Sequence, residues 1–178
     1  MNRSVLLLLV GSLSGAAPVW AAEGDWDRAR TAHERGDYAA ELAVIRPLAE
    51  KGYPFAQFNL GVLYDEGKGV AMDDRQAIEW YRKAAEQGFS QAQINLGLMY
   101  ENGEGTPVDL VRAYFWYELA DVQGDGQAPA AKSDIARKMT PAQIKDAEKQ
   151  AKDYQATHKF VIPPTPPVPG TGTSHGNG

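Results

Sequence analysis

The chain has no cysteine, only three histidines and no long apolar run, and its charge leans to the acidic side. Without cysteine there is no disulfide framework, zinc knuckle, thiol nucleophile or lipid-modified cysteine anchor. His33, His158 and His175 stand far apart in the sequence, so no pair at i+3 or i+4 starts a metal site. The 18 Lys and Arg face 23 Asp and Glu, a net charge of −5, which argues against nucleic acid as a partner because such proteins show a basic face. The one apolar run, Val5 to Val10, is well under the roughly 18 residues that a spanning helix needs.

That run reads instead as the core of an export signal. Arg3 supplies the positive start, and Pro18 breaks the helix. Val19-Trp20-Ala21 then fits the small-x-small cleavage rule. Residues 1–21 are therefore expected to be removed after Ala21. The mature protein is expected to be periplasmic or secreted, with no stable membrane insertion.

Within its 178 residues the chain repeats itself. Ala56-Gln57-Phe58-Asn59-Leu60-Gly61-Val62-Leu63-Tyr64 returns 36 residues later as Ala92-Gln93-Ile94-Asn95-Leu96-Gly97-Leu98-Met99-Tyr100. The register continues through Gly67/Gly103, Gly69/Gly105, Asp73/Asp109, Ala77/Ala113, Trp80/Trp116, Tyr81/Tyr117, Ala84/Ala120 and Gly88/Gly124. A period of this size means stacked helix pairs, each too small to bury its apolar face alone. Every unit reads as a helix A, a glycine loop and a helix B. The expected fold is all-α, an α/α solenoid (superhelix) of stacked antiparallel helix pairs.

Local signals set the ends of these helices. Ser90 reads as the N-cap of the second helix A, with Gln93 completing a capping box and Phe89 and Ile94 a hydrophobic staple. Tyr53 and Phe58 read as the staple of the first unit. Asp73 and Asp109 should cap the two B helices, and Gly67 and Gly103 should end the A helices at positive φ. Trp80 and Trp116 should fill the space between paired helices.

The pattern A-Q-x-N-L-G-x-x-Y-x-x-G-x-G, followed by D and A-x-x-W-Y-x-K-A-A-E-Q-G, resembles the Sel-one-like repeat, a relative of the tetratricopeptide repeat. Residues 56–91 match nearly throughout. Residues 92–127 match with departures, among them Leu119 and Val122 in place of Lys83 and Glu86, as if another element covers that helix end. Residues 24–55 read as a degenerate capping pair in which Pro47 should kink or shorten the second helix. Residues 128–158 read as C-terminal capping helices closing the stack, the last opened by a Thr140-Pro141-Ala142-Gln143 capping box. Residues 159–178, with five prolines between Pro163 and Pro169, read as a disordered tail in which Phe160 and its successors support no packed core.

Signs of catalysis are missing. There is no S-x-x-K, and Gly11-Ser12-Leu13-Ser14-Gly15 has the wrong spacing for a nucleophile elbow. Gly61 to Gly67-Lys68 departs from a phosphate loop in both spacing and the final Ser/Thr. No catalytic residue, metal ligand or cofactor is assigned, and the chain is read as a non-enzyme. The resemblance implies an adaptor or scaffold that binds a protein or peptide. Residues 22–131 hold 10 basic and 19 acidic side chains, which suits a basic partner. The alternatives are a β-lactam-interacting hydrolase, since some exported relatives are credited with that chemistry, and a peptidoglycan-binding envelope protein using exposed aromatics.

Tetratricopeptide stacks line their concave surface with helix A residues. By that resemblance Phe58, Val62, Ile94 and Leu98 form an apolar stripe edged by Asp65, Gln91 and Glu101. The alternative is that the staples consume Phe58 and Ile94 while Val62 and Leu98 pack between units.

Overall fold

A computed structural model describes residues 23–158 and 160, and the described residues form eight helices and no strand. They are α1 (Glu23–Glu34), α2 (Tyr38–Glu50), α3 (Pro54–Asp65), α4 (Asp74–Glu86), α5 (Ser90–Asn102), α6 (Leu110–Val122), α7 (Ala128–Ala136) and α8 (Pro141–Thr157). From α1 to α6 each helix packs on the one before and the one after it, the arrangement of an α solenoid. The proposed signal segment and residues 161–178 lie outside the described residues.

Close approach within each pair rests on glycine. A Cβ on Gly61 would lie 2.6 Å from the Tyr81 ring, and one on Gly97 would lie 2.5 Å from the Tyr117 ring. Both tyrosines are fully buried, so these glycines are the seats of the rings. Stacking between units uses the second glycine of each loop. Gly105, at φ 64°, lies against the start of α4, where a Cβ would meet Asp74 at 2.7 Å. Gly69, at φ 72°, lies the same way on the carbonyl of Tyr38 at the start of α2. Only glycine meets both demands, a left-handed backbone and no side chain.

The caps follow the sequence in part. Asp73 accepts from the amides of Arg75 and Gln76, Asp109 from that of Arg112, and Asp37 from that of Ala40. Thr140 and Gln143 form the reciprocal capping box that opens α8. Ser90, however, is not a cap. Phe89 occupies the N-cap of α5 and Tyr53 that of α3, neither with a side-chain cap bond. The Phe89 ring is buried against Phe55 and Phe58, at centroid distances of 6.0 and 5.2 Å. Burying such a ring is worth about 1.5–3 kcal/mol, more than the roughly 1 kcal/mol of a cap.

Gln93 is drawn elsewhere as well. Fully buried, it donates to the carbonyl of Ala85 at 3.0 Å and accepts from Gln123 Nε2 at 2.7 Å. One unit earlier Gln57 donates to Ala49 at 3.2 Å and accepts from Gln87 at 2.7 Å. This glutamine ladder ties each helix A to the helix B behind it and to the end of its own helix B.

Three more expectations are corrected. Pro47 does not shorten α2, which runs 13 residues like α4. Pro47 and Ala43, whose carbonyl loses its amide partner, are both exposed, so water can serve that carbonyl. Leu119 is fully buried but Val122 is 60% exposed, so the cover over α6 reaches its last turn but not its last residue. Trp116 is buried, whereas Trp80 is half-exposed with the Lys83 ammonium 3.8 Å from its ring centroid.

The C-terminal helices differ most. Both α7 and α8 pack on α6, and they do not form an extensive pair with each other. Lys132 anchors α7 to α6 through Glu118, at 2.8 Å, and Asp121. Burial alone would lower the Lys132 pKa, but these carboxylates reverse that and hold it above the ordinary lysine value. Helix α8 lays Ala147 and Ala151, with half-buried Ile144 and Tyr154, against the larger core cluster. Tyr154 packs edge-on to Phe115 at 5.6 Å. Phe160 then folds back, its ring 5.9 Å from Tyr154 and its atoms so near Gly88 that a Cβ there would meet them at 2.9 Å. The expectation that packing ends before Phe160 is therefore wrong. A half-buried aromatic contact adds apolar burial that the proline-rich composition downstream does not advertise.

Candidate interaction surface

Helices α3 and α5 carry all seven residues singled out in the sequence, one helical period apart along each helix. The structure separates them into three groups.

Phe58 and Ile94 are committed to the core. Ile94 is 6% exposed, and Phe58 lies half-buried against the rings of Tyr81, at 5.8 Å, and Phe89. Ile94 is thus no part of an exposed stripe. Val62 is half-buried against the same cluster. Leu98, its mate in the second unit, stands 42% exposed, and Gln91 is also exposed. What survives of the stripe is Leu98 with the partly open edges of Val62 and Phe58.

The carboxylates have structural duties that spacing alone does not reveal. Tyr81 donates its hydroxyl to Asp65 at 3.0 Å, and Tyr117 donates to Glu101 at 2.9 Å. These are the same tyrosines whose rings sit on Gly61 and Gly97. Burial raises the pKa of both hydroxyls, so they remain neutral donors. Each acid is therefore held in a fixed orientation at the last turn of its helix A.

Here the two units diverge. Glu101 also accepts from Lys138 Nζ at 2.7 Å, just beyond α7. Asp65 has no cation within 4 Å among the described residues. Burial lifts its pKa above the ordinary carboxylate value, the Tyr81 hydrogen bond opposes this, and Asp74 and Glu66 add repulsion that raises it further. The neighbouring Lys68 is taken by Glu66, at 2.6 Å, and by the face of Tyr38.

Two exposed residues escaped the sequence reading. Met72 is 69% exposed and Val108 59%, and they are mates in the 36-residue register, each directly ahead of a capping aspartate. The offset itself would have found them. Among the described residues no group of three or more His, Cys, Asp or Glu is placed to hold a metal ion, and no helix is long and apolar enough to cross a membrane.

The Sel1 repeat family model matches residues 54–89 and 90–120, which begin at the first residues of α3 and α5. The chain carries two Sel1 repeats. Such repeats are related to tetratricopeptide repeats and mediate protein–protein interaction, and proteins built from them are typically non-catalytic scaffolds. The fold is similar to that of c5321, a protective antigen of uropathogenic Escherichia coli strains with an SLR fold. The two share 32% identity at a TM-score of 0.72 over 77% of this chain and 30% of that one. It is also similar to a Sel1 repeat protein from Oxalobacter formigenes, with 29% identity, a TM-score of 0.59, and coverage of 73% of this chain and 54% of that one. The chain thus spans less than a third of the first structure's chain and about half of the second's. No curated protein matches it.

Proposed function

We propose that the chain is an exported, non-catalytic adaptor or scaffold that docks a protein or peptide segment on the α3–α5 face. The observation that carries this reading is Leu98, a large apolar side chain 42% exposed on α5 three residues before the oriented carboxylate of Glu101, with Asp65 oriented likewise at the end of α3. An apolar group rimmed by polar ones is how interaction surfaces are commonly built. The acidic balance of the repeats suits a partner with basic groups. Export rests on the N-terminal segment, with periplasm or secretion as the destination.

Two measurements test the two halves. A photo-crosslinking residue at position 98 should give a discrete adduct in the native envelope, whereas one at exposed Glu79 on α4 should not. Equal labelling from both positions, or none from 98, refutes the docking face. Mass spectrometry of the mature protein should find Ala22 or Glu23 at the N-terminus, and an intact Met1 or Asn2 refutes export by cleavage.

A further inference from the structure

The two fixed acids differ in one respect, and the repeat register says why. Lys138, which covers Glu101, stands 36 residues after Asn102. The register is real on this side of the molecule, because Ala128 repeats buried Ala92 and Ile135 repeats buried Met99. By register, Asn102 at the end of α5 corresponds for Asp65 to what Lys138, just past the end of α7, is for Glu101. It cannot supply a cation there, and its amide is turned to Glu104 at 3.2 Å.

We infer that Asp65 is an open cation slot on the α3–α5 face, which takes the lysine or arginine side chain of a polypeptide partner whose neighbouring apolar residue rests on Leu98. This rests on the docking reading above and deepens it by naming the partner's chemistry. The molecule supplies its own precedent. At Glu101 a lysine ammonium fits beside a carboxylate already bound by a tyrosine hydroxyl, and the Glu101 side chain is 13% exposed. Asp65 repeats the carboxylate and its tyrosine donor without the cation, although there the Tyr81 hydroxyl also meets the Asn95 side chain, whose mate in the register is Ala131. Asp74 and Glu66 lie close enough to add negative potential and so favour a positive group. Val62, three residues before Asp65 on α3, and Leu98 on α5 supply apolar contact for the residue beside it.

One test needs no partner. Asn102→Lys should place an ammonium beside Asp65 as Lys138 is placed beside Glu101. The Asp65 carboxyl, followed by NMR, should then titrate about one unit lower than in the wild-type chain. An unchanged midpoint would show that position 102 does not face the slot and would overturn the inference.

The second test uses a fluorescein-labelled Gly-Leu-Lys-Gly-Leu-Lys peptide and its counterpart with Glu for Lys. Wild-type protein should bind the lysine peptide at least about tenfold more tightly than the glutamate peptide. Asp65→Asn, which keeps an acceptor for Tyr81, and Asn102→Lys should each remove that preference, with circular dichroism unchanged. Lys138→Ala should uncover Glu101 and tighten binding several-fold. If Leu98→Ser abolishes binding while Asp65→Asn leaves the preference intact, the face binds polypeptide but the slot is wrong. If neither peptide binds, the inference fails, and crosslinking at position 98 still decides the docking face separately.

Discussion

Replacing Gly97 by alanine asks whether the close packing of α5 on α6 is set by one missing methyl group. A Cβ there would meet Tyr117 at 2.5 Å (Cε1), 2.8 Å (Cδ1) and 3.1 Å (Cζ), whereas carbon atoms rest about 3.5–4.0 Å apart. The ring would have to retreat by about 1 Å. It has nowhere to go, being fully buried with its hydroxyl fixed to Glu101 at 2.9 Å. Overpacking of this kind costs about 1–3 kcal/mol, and a weakened hydrogen bond to a charged acceptor adds up to about as much again. Against this, alanine in a helix interior is favoured over glycine by about 1 kcal/mol. The balance centres on a loss of about 2–3 kcal/mol, or a melting point lower by roughly 6–10 °C in a domain of this size. Gly24 supplies the control, because it lies in α1 with no atom within 4 Å of its built Cβ. Gly24→Ala should therefore leave stability unchanged or raise it by up to about 1 kcal/mol. Thermal unfolding followed at 222 nm reads both. A Gly97→Ala protein melting at or above wild type would refute the claim that the Tyr117 ring is seated on bare backbone.

Gln93→Leu should cost about 1–3 kcal/mol in urea unfolding, because it leaves the Ala85 carbonyl without its buried donor and cuts the bond from Gln123. Asp73→Ala should cost about 1 kcal/mol through loss of the α4 cap, while Ser90→Ala should change stability by less than about 0.5 kcal/mol, since Ser90 caps nothing. A larger cost for Ser90 would reinstate it as the α5 cap. Phe160→Ala should lower stability by about 1 kcal/mol, less than for a fully buried phenylalanine, and an unchanged melting point would show that the contact with Tyr154 and Gly88 adds nothing.

Most of the frame was legible in the sequence, because each unit states it twice. Leu60, Gly61 and Tyr81 recur as Leu96, Gly97 and Tyr117, and all six are buried in the structure. The aspartate caps were legible for a different reason, since a cap is decided within four residues. Ser90 misled because the same local rule competed there with a distant one, the demand of Phe55 and Phe58 for the Phe89 ring. The glutamine ladder was invisible for want of geometry. Gln57, Gln87 and the Ala49 carbonyl belong to three successive helices, and nothing in the spacing says that they meet. Phe160 was lost among prolines for the same reason, since its partners Tyr154 and Gly88 lie on different elements.

The site was less legible than the frame, and the asymmetry has a physical origin. Frame positions are recognised by sameness between units, because the same packing problem is solved each time. A binding surface is carried by the positions where the units differ without disturbing that packing. Val62 and Leu98 share a register position, yet one is half-buried and the other exposed. Asp65 and Glu101 share both register and tyrosine donor, yet only one meets a lysine. That last difference is set by a third unit whose register survives in little more than Ala128 and Ile135, too faint a trace to align from sequence. Once the chain just past α7 is seen to reach the end of α5, the exchange of Asn102 for Lys138 becomes a difference with a consequence: one acid is satisfied within the chain, and the other is left for a partner to satisfy.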